Sequence, residues 1–93
     1  MGITVYLPSY LQRFAGGRSE LEINGAPGTV GEALIALRGE YPGVYDRVIT
    51  ERGEVRQHVN VFVGEESIRD GGGQEYPVAD GSELVILPAV SGG

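Results

Sequence analysis

The stretch that most limits what this chain can fold into is Thr29 followed three residues later by Glu32, a capping box set just ahead of an apolar stripe. Val30, Ala33, Leu34, Leu37 and Tyr41 fall on one face at helical spacing, and Pro42 disfavours helical geometry at Tyr41. The pattern predicts one clear amphipathic helix that stops near Tyr41.

The segments around it alternate with a period of two. Ile3, Val5 and Leu7 alternate with Thr4 and Tyr6 up to Pro8, and Leu21 and Ile23 alternate with Glu20, Glu22 and Asn24 after a turn at Gly16 and Gly17. These two read as a hairpin with a long loop. Between Val44 and His58 the signals are mixed: Val44, Val48 and Ile49 suit a short helical turn, "ERGE" suits an exposed loop, and no regular element is assigned. Val59 to Gly64 reads as a strand with Val59, Val61 and Val63 on one face and Asn60 and Phe62 on the other. "DGGGQEY" reads as a flexible glycine-rich loop, and a turn at Asp80-Gly81 feeds a last strand, Leu84 to Pro88.

The order strand, strand, helix, strand, loop, strand predicts an α+β fold with one helix packed on a small sheet. The helix covers one sheet face and leaves the other open. Phe62 is expected on that open face, with either Val85 and Leu87 or Leu84 and Ile86 beside it as a partner-binding surface.

Composition narrows the chemistry. A chain of 93 residues, 41% apolar and 22% charged, makes one soluble domain. No apolar run approaches the roughly 20 residues of a membrane span and no signal segment opens the chain, so the expected location is cytoplasmic, with no membrane partner. The absence of cysteine excludes a disulfide scaffold, a thiolate zinc site and a cysteine nucleophile. All seven basic residues are arginine, which excludes a Walker A lysine and Schiff-base chemistry. Two explanations of missing lysine stay open: codon bias, and protection of an activated acyl group from nearby amines. A net charge of −6, spread along the chain, disfavours nucleic acid and suits a basic docking face on a partner or simple solubility.

Most candidate chemical groups have structural explanations. His58 is the single histidine and no ligand spacing surrounds it, so no metal is expected. The pairs Glu20/Glu22 and Glu65/Glu66 read as solvated faces. Gly71 to Gly73 is followed by Glu75, Tyr76 and Pro77, poor material for the helix that a phosphate cradle should open.

The tail is different. Residues 1–88 form the expected domain, and Ala89 to Gly93 form a flexible arm beyond Pro88 that can extend about 17 Å. Gly92 and Gly93 could pass a channel too narrow for side chains. Their carboxylate, ionised at neutral pH, would need a leaving group before any nucleophile could attack it, and adenylation by ATP supplies one. Ala89 and Val90 suit docking better than fraying.

"ADGSELVILPAVSGG", with its Asp80-Gly81 turn, Pro88 and terminal Gly92-Gly93, resembles the C-terminal signature of the ThiS/MoaD-type sulfur carriers. The element order is similar to their ubiquitin-like β-grasp fold, which implies that the first and last strands lie side by side in the sheet centre. The resemblance implies a carrier that is not itself an enzyme and binds no cofactor. Gly93 would be adenylated by an E1-like adenylyltransferase/sulfurtransferase, which consumes the ATP, and converted to a thiocarboxylate, with Gly92 giving access. Phe62, Leu87, Pro88, Ala89, Val90 and Ser91 would meet partners, and the free chain would be a monomer. "RQHVNVFVGEESIRDGGG" followed by "ILPAVSGG" is most similar to the CysO type of the cysteine-biosynthesis branch. That branch implies a sulfur-accepting synthase and a metalloprotease as further partners. Gly64 stands where many relatives have asparagine, Gly43 to His58 is longer than in the shortest members, and Pro88-Ala89 replaces a frequent proline pair of molybdopterin synthase small subunits. That small subunit, a ubiquitin-like modifier conjugated through Gly93, and a passive β-grasp binding module are the alternatives.

Overall fold

The alternating segments and the capped stripe become the elements their periods predict. The computed structural model describes residues 2–25 and 28–89. Strands β1 (Gly2–Tyr6) and β2 (Glu20–Asn24) pair antiparallel, with Val5 opposite Leu21 and Ile3 opposite Ile23. Between them a short helix, α1 (Ser9–Gln12), runs into a 3₁₀ turn, Arg13–Ala15, so the predicted loop is helical. Buried Leu11 and Ala15 draw this segment onto the core.

Helix α2 (Val30–Glu40) starts where the capping box places it. The Thr29 hydroxyl accepts from the Glu32 N–H at 3.2 Å, and the Glu32 carboxylate reaches back to the Gly28 N–H at 2.6 Å. The first bond satisfies a donor that the helix start leaves unpaired, and the second ties down the residue before the cap. Val30, Ala33, Leu34 and Leu37 are buried.

Pro42 does more than end this helix. It occupies the first turn of a second one, α3 (Pro42–Val48), where its missing N–H costs nothing. Val44 and Val48 bury themselves beside α2. α2 remains the main helix on the sheet, as expected, and the proline that ends it pre-sets the backbone of this shorter one, in a stretch to which the sequence assigned no regular element.

The chain then forms β3 (Val59–Val63), a two-residue β4 (Glu66–Ser67) and β5 (Glu83–Pro88). The glycine-rich segment is not a plain loop. One 3₁₀ turn, Ile68–Asp70, leads into it and a second, Gly73–Glu75, lies within it, with Gly71 packed so closely on the Tyr76 ring that a Cβ there would overlap it.

The five strands lie in the order β2-β1-β5-β3-β4. β1 and β5, the first and last, are parallel neighbours in the centre, with Tyr6 opposite Val85. β5 pairs antiparallel with β3 on its other side, Ile86 opposite Val61 and Phe62 opposite Val85. Ile3, Val5, Leu21, Ile23, Val59, Val61, Leu84 and Ile86 face α2 and α3 and form the core. Leu84 and Ile86 therefore belong to the core set, and Val85 and Leu87 to the other face.

Candidate docking face and tail root

Because α2 and α3 cover one side, every second residue of the sheet is left on the other. The register builds a row across all five strands there: Glu20, Tyr6, Val85, Phe62 and Ser67. On one side of this row lie Glu22, Thr4 and Glu83; on the other, towards the end of β5, lie Leu87 and Asn60. Phe62 and Val85 are half-buried, and Leu87 is 42% exposed. The middle of the face is thus apolar and aromatic, and its β2 side is acidic.

Hydrogen bonds fix that acidic margin. The Tyr6 hydroxyl donates to Glu83 Oε2 at 3.1 Å and the Thr4 hydroxyl to Glu22 Oε1 at 3.1 Å. The Tyr6 phenol is pushed above its ordinary value, first by its hydrogen bond to Glu83, then by that carboxylate's charge. It therefore stays a neutral donor. Glu20, Glu22 and Glu83 present carboxylates beside an apolar strip, a pattern that complements a basic, apolar partner surface.

The face runs directly into the tail root. Pro88, opposite Val59, ends β5, and the Ala89 N–H donates to the His58 carbonyl at 2.8 Å. Alternate residues of a strand direct their N–H to opposite sides, so the donor that Pro88 lacks would point towards the β1 side. There β1 has already turned away into α1, and the proline breaks no ladder bond. Gly81, at φ 86°, makes the turn before β5, and its N–H donates to the Gly2 carbonyl at 2.7 Å.

Of the expected site residues, Phe62 and Leu87 lie on the open face, while Pro88 and Ala89 form its exit. Val90, Ser91, Gly92 and Gly93 lie outside the described residues. His58 is exposed beside the exit, with its carbonyl holding Ala89. Glu20 and Glu22 flank the face; Glu66 accepts a hydrogen bond from the Tyr76 hydroxyl at 2.9 Å. Among the described residues no cluster of histidine and carboxylate groups could hold a metal, and no helix is long and apolar enough to cross a membrane. Tyr6, Val85, Glu83 and Asn60 complete the face. Sequence alternation put Tyr6 with Thr4 and Asn60 with Phe62, but only strand pairing joins them.

Comparison with known proteins agrees with this architecture. The ThiS family model matches residues 5–93. The sulfur carrier protein CysO of Mycobacterium tuberculosis (strain ATCC 25618 / H37Rv) is 34% identical over 95 residues, covering 100% of both chains. Small archaeal modifier protein 1 of Haloferax volcanii is 38% identical over 84 residues, covering 89% of this chain and 91% of that protein. In the crystal structure of the Amycolatopsis orientalis BexX/CysO complex, a chain superposes with a TM-score of 0.85 at 36% identity, covering 98% of this chain and 99% of that one. With its mixed sheet, central parallel β1–β5 pair and covering helices, the chain belongs to the ThiS family of ubiquitin-like β-grasp proteins.

Proposed function

We propose that this chain is a sulfur carrier whose reactive group is the Gly93 carboxyl, serving cysteine biosynthesis. The observation that carries the reading is the position of the tail root: Ala89 leaves the central strand at the edge of an apolar face with an acidic margin. A partner docked on Tyr6, Val85, Phe62 and Leu87 would receive the tail in a fixed direction.

In the proposed chemistry, a carboxylate oxygen of Gly93 attacks the α-phosphorus of ATP in an E1-like enzyme. The products are an acyl-adenylate and pyrophosphate. Hydrosulfide then adds to the acyl carbon and expels AMP, leaving a thiocarboxylate. The carrier needs no cofactor or catalytic side chain of its own. Gly92 gives access to the activating site, a sulfur-accepting synthase takes the thiocarboxylate, and a metalloprotease frees the product. The similarity to CysO supports the choice of pathway.

Intact-mass analysis after incubation with ATP, the cognate activating enzyme and a sulfide source should show one oxygen replaced by sulfur at the terminus. A variant with one residue added after Gly93 should fold normally and gain no sulfur. An unchanged mass for the parent chain with an enzyme shown to be active would refute the reading.

A second reading, a protein modifier conjugated through Gly93, is favoured by the similarity to small archaeal modifier protein 1. Its mark would be adducts on lysines of other proteins. With no lysine among its 93 residues, the chain offers no lysine side chain on which to build chains of itself.

A further inference from the structure

Four of the seven arginines, on an otherwise acidic chain, converge on one depression. It has a volume of about 620 Å³ and lies on the helix side, away from the open sheet face. Arg38 comes from α2, Arg47 from α3, and Arg52 and Arg56 from the segment leading to β3. Only two carboxylates, Asp46 and Glu51, share the lining. The local excess is therefore positive where the whole chain carries −6.

The guanidinium groups of Arg38, Arg47 and Arg56 are held by uncharged partners. Arg47 sits 4.3 Å from the centre of the Phe14 ring and Arg38 5.6 Å from that of Tyr45. A ring face positions a guanidinium without occupying its N–H edges. Arg56 donates from Nε and Nη2 to the Asp46 carbonyl, at 3.1 and 2.8 Å, a neutral acceptor that leaves its Nη1 donors unspent. Arg52 stands on a closed turn. There the Thr50 hydroxyl accepts from the N–H groups of Arg52 and Glu54, both at 3.2 Å, and the Thr50 N–H donates to the Glu54 carbonyl at 2.7 Å.

We propose that this depression binds a ligand bearing phosphoryl or sulfuryl oxyanions. Guanidinium groups converging from three segments offer forked N–H pairs to such oxygens, and the volume is that of a small-molecule site. Arg47 and Arg56 also line an adjoining depression of about 280 Å³ with Tyr10 and His58. Since the His58 carbonyl holds Ala89, this second depression links the proposed site towards the tail root. Long-range repulsion from the net charge makes binding depend on direct contacts, not on general attraction.

The test uses the full chain labelled with ¹⁵N, titrated at fixed ionic strength with pyrophosphate, with ATP and with a hexa-aspartate peptide. Pyrophosphate and ATP should produce saturable shifts at the amides of Arg47, Arg52, Gly53 and Arg56. Arg52→Glu, on an exposed turn, should weaken binding by about tenfold or more, the loss of a charge-assisted contact. Arg18→Glu changes the net charge equally at a site away from the depression and should alter affinity by less than about twofold. Equal affinity for the two phosphates would show that the phosphoryl group alone is recognised; tighter binding of ATP would show that the nucleoside is read as well. Absence of saturation, equal losses in the two variants, or shifts from the aspartate peptide alone would overturn the proposal, the last in favour of an acidic protein partner.

Discussion

Ile86 and Leu87 are adjacent on β5 and similar in chemistry, yet truncating each to alanine should do opposite things. Ile86 is 0% exposed and faces the core opposite Val61. Removing a buried aliphatic side chain costs about 2–5 kcal/mol through lost transfer free energy and the cavity left behind. A domain of this size holds roughly 5–14 kcal/mol, so Ile86→Ala removes a large fraction of its stability. Leu87 is 42% exposed on the open face. Full burial of a leucine is worth about 1.5–3 kcal/mol, and with so much of it in water and no core behind it, Leu87→Ala should cost less than about 1 kcal/mol. Urea unfolding followed by circular dichroism separates the two. At a slope of about 1–3 kcal/mol per molar, Ile86→Ala should move the midpoint down by about 1 M or more, and Leu87→Ala only slightly. Binding to the activating enzyme proposed above should follow the reverse order, with Leu87→Ala weakening it by about fivefold or more if that residue is a central contact. A Leu87→Ala variant as unstable as Ile86→Ala would refute the assignment of faces.

Further expectations follow from single contacts. Thr29→Ala removes the α2 cap and should cost about 1 kcal/mol, read as a matching fall in the urea midpoint; no change would mean that Glu32 alone secures the helix start. Gly71→Ala places a Cβ on the Tyr76 ring and should displace it from Glu66, seen as lower protection of the neighbouring amides in hydrogen exchange. For Tyr6 the pH sign is fixed by its raised pKa in the folded chain. The stabilisation is fully present below the unfolded value of about 10 and is lost as pH rises through the higher folded value. Glu83→Gln should lower the Tyr6 phenolate transition in an ultraviolet titration, with Tyr6→Phe identifying the component; an unmoved transition would deny Glu83 that role.

The local periods were readable because they depend on neighbouring residues alone. The capping box and stripe of α2 mark a helix whose side-chain caps join only residues 28 to 32, all close in the sequence. Likewise the alternation in β1, β2 and β3 needs only the pleat. α3 escaped because one residue, Pro42, carries two messages, and a reading that uses it as a stop misses it as a start. The glycine-rich segment escaped because the 3₁₀ turns before and within it are held in place by packing such as Gly71 on Tyr76, a contact between a main chain and a ring that no period records.

What the sequence by itself determined about the tail is steric: Gly92 and Gly93 present no side chain, and the sulfur chemistry proposed for them comes from the resemblance to the sulfur carriers. Tertiary structure alone chose the face and the direction. Leu84 to Leu87 is apolar at every position, so its alternation offers two equivalent sides, and only pairing with Tyr6 and Phe62 turns Val85 and Leu87 outward. The parallel contact of β1 with β5 joins two segments far apart in the sequence, and the arginines at 38, 47, 52 and 56 line one depression only when α2, α3 and the following turn pack together. Such placements depend on pairing distant segments, and the local period of a sequence carries no register between them.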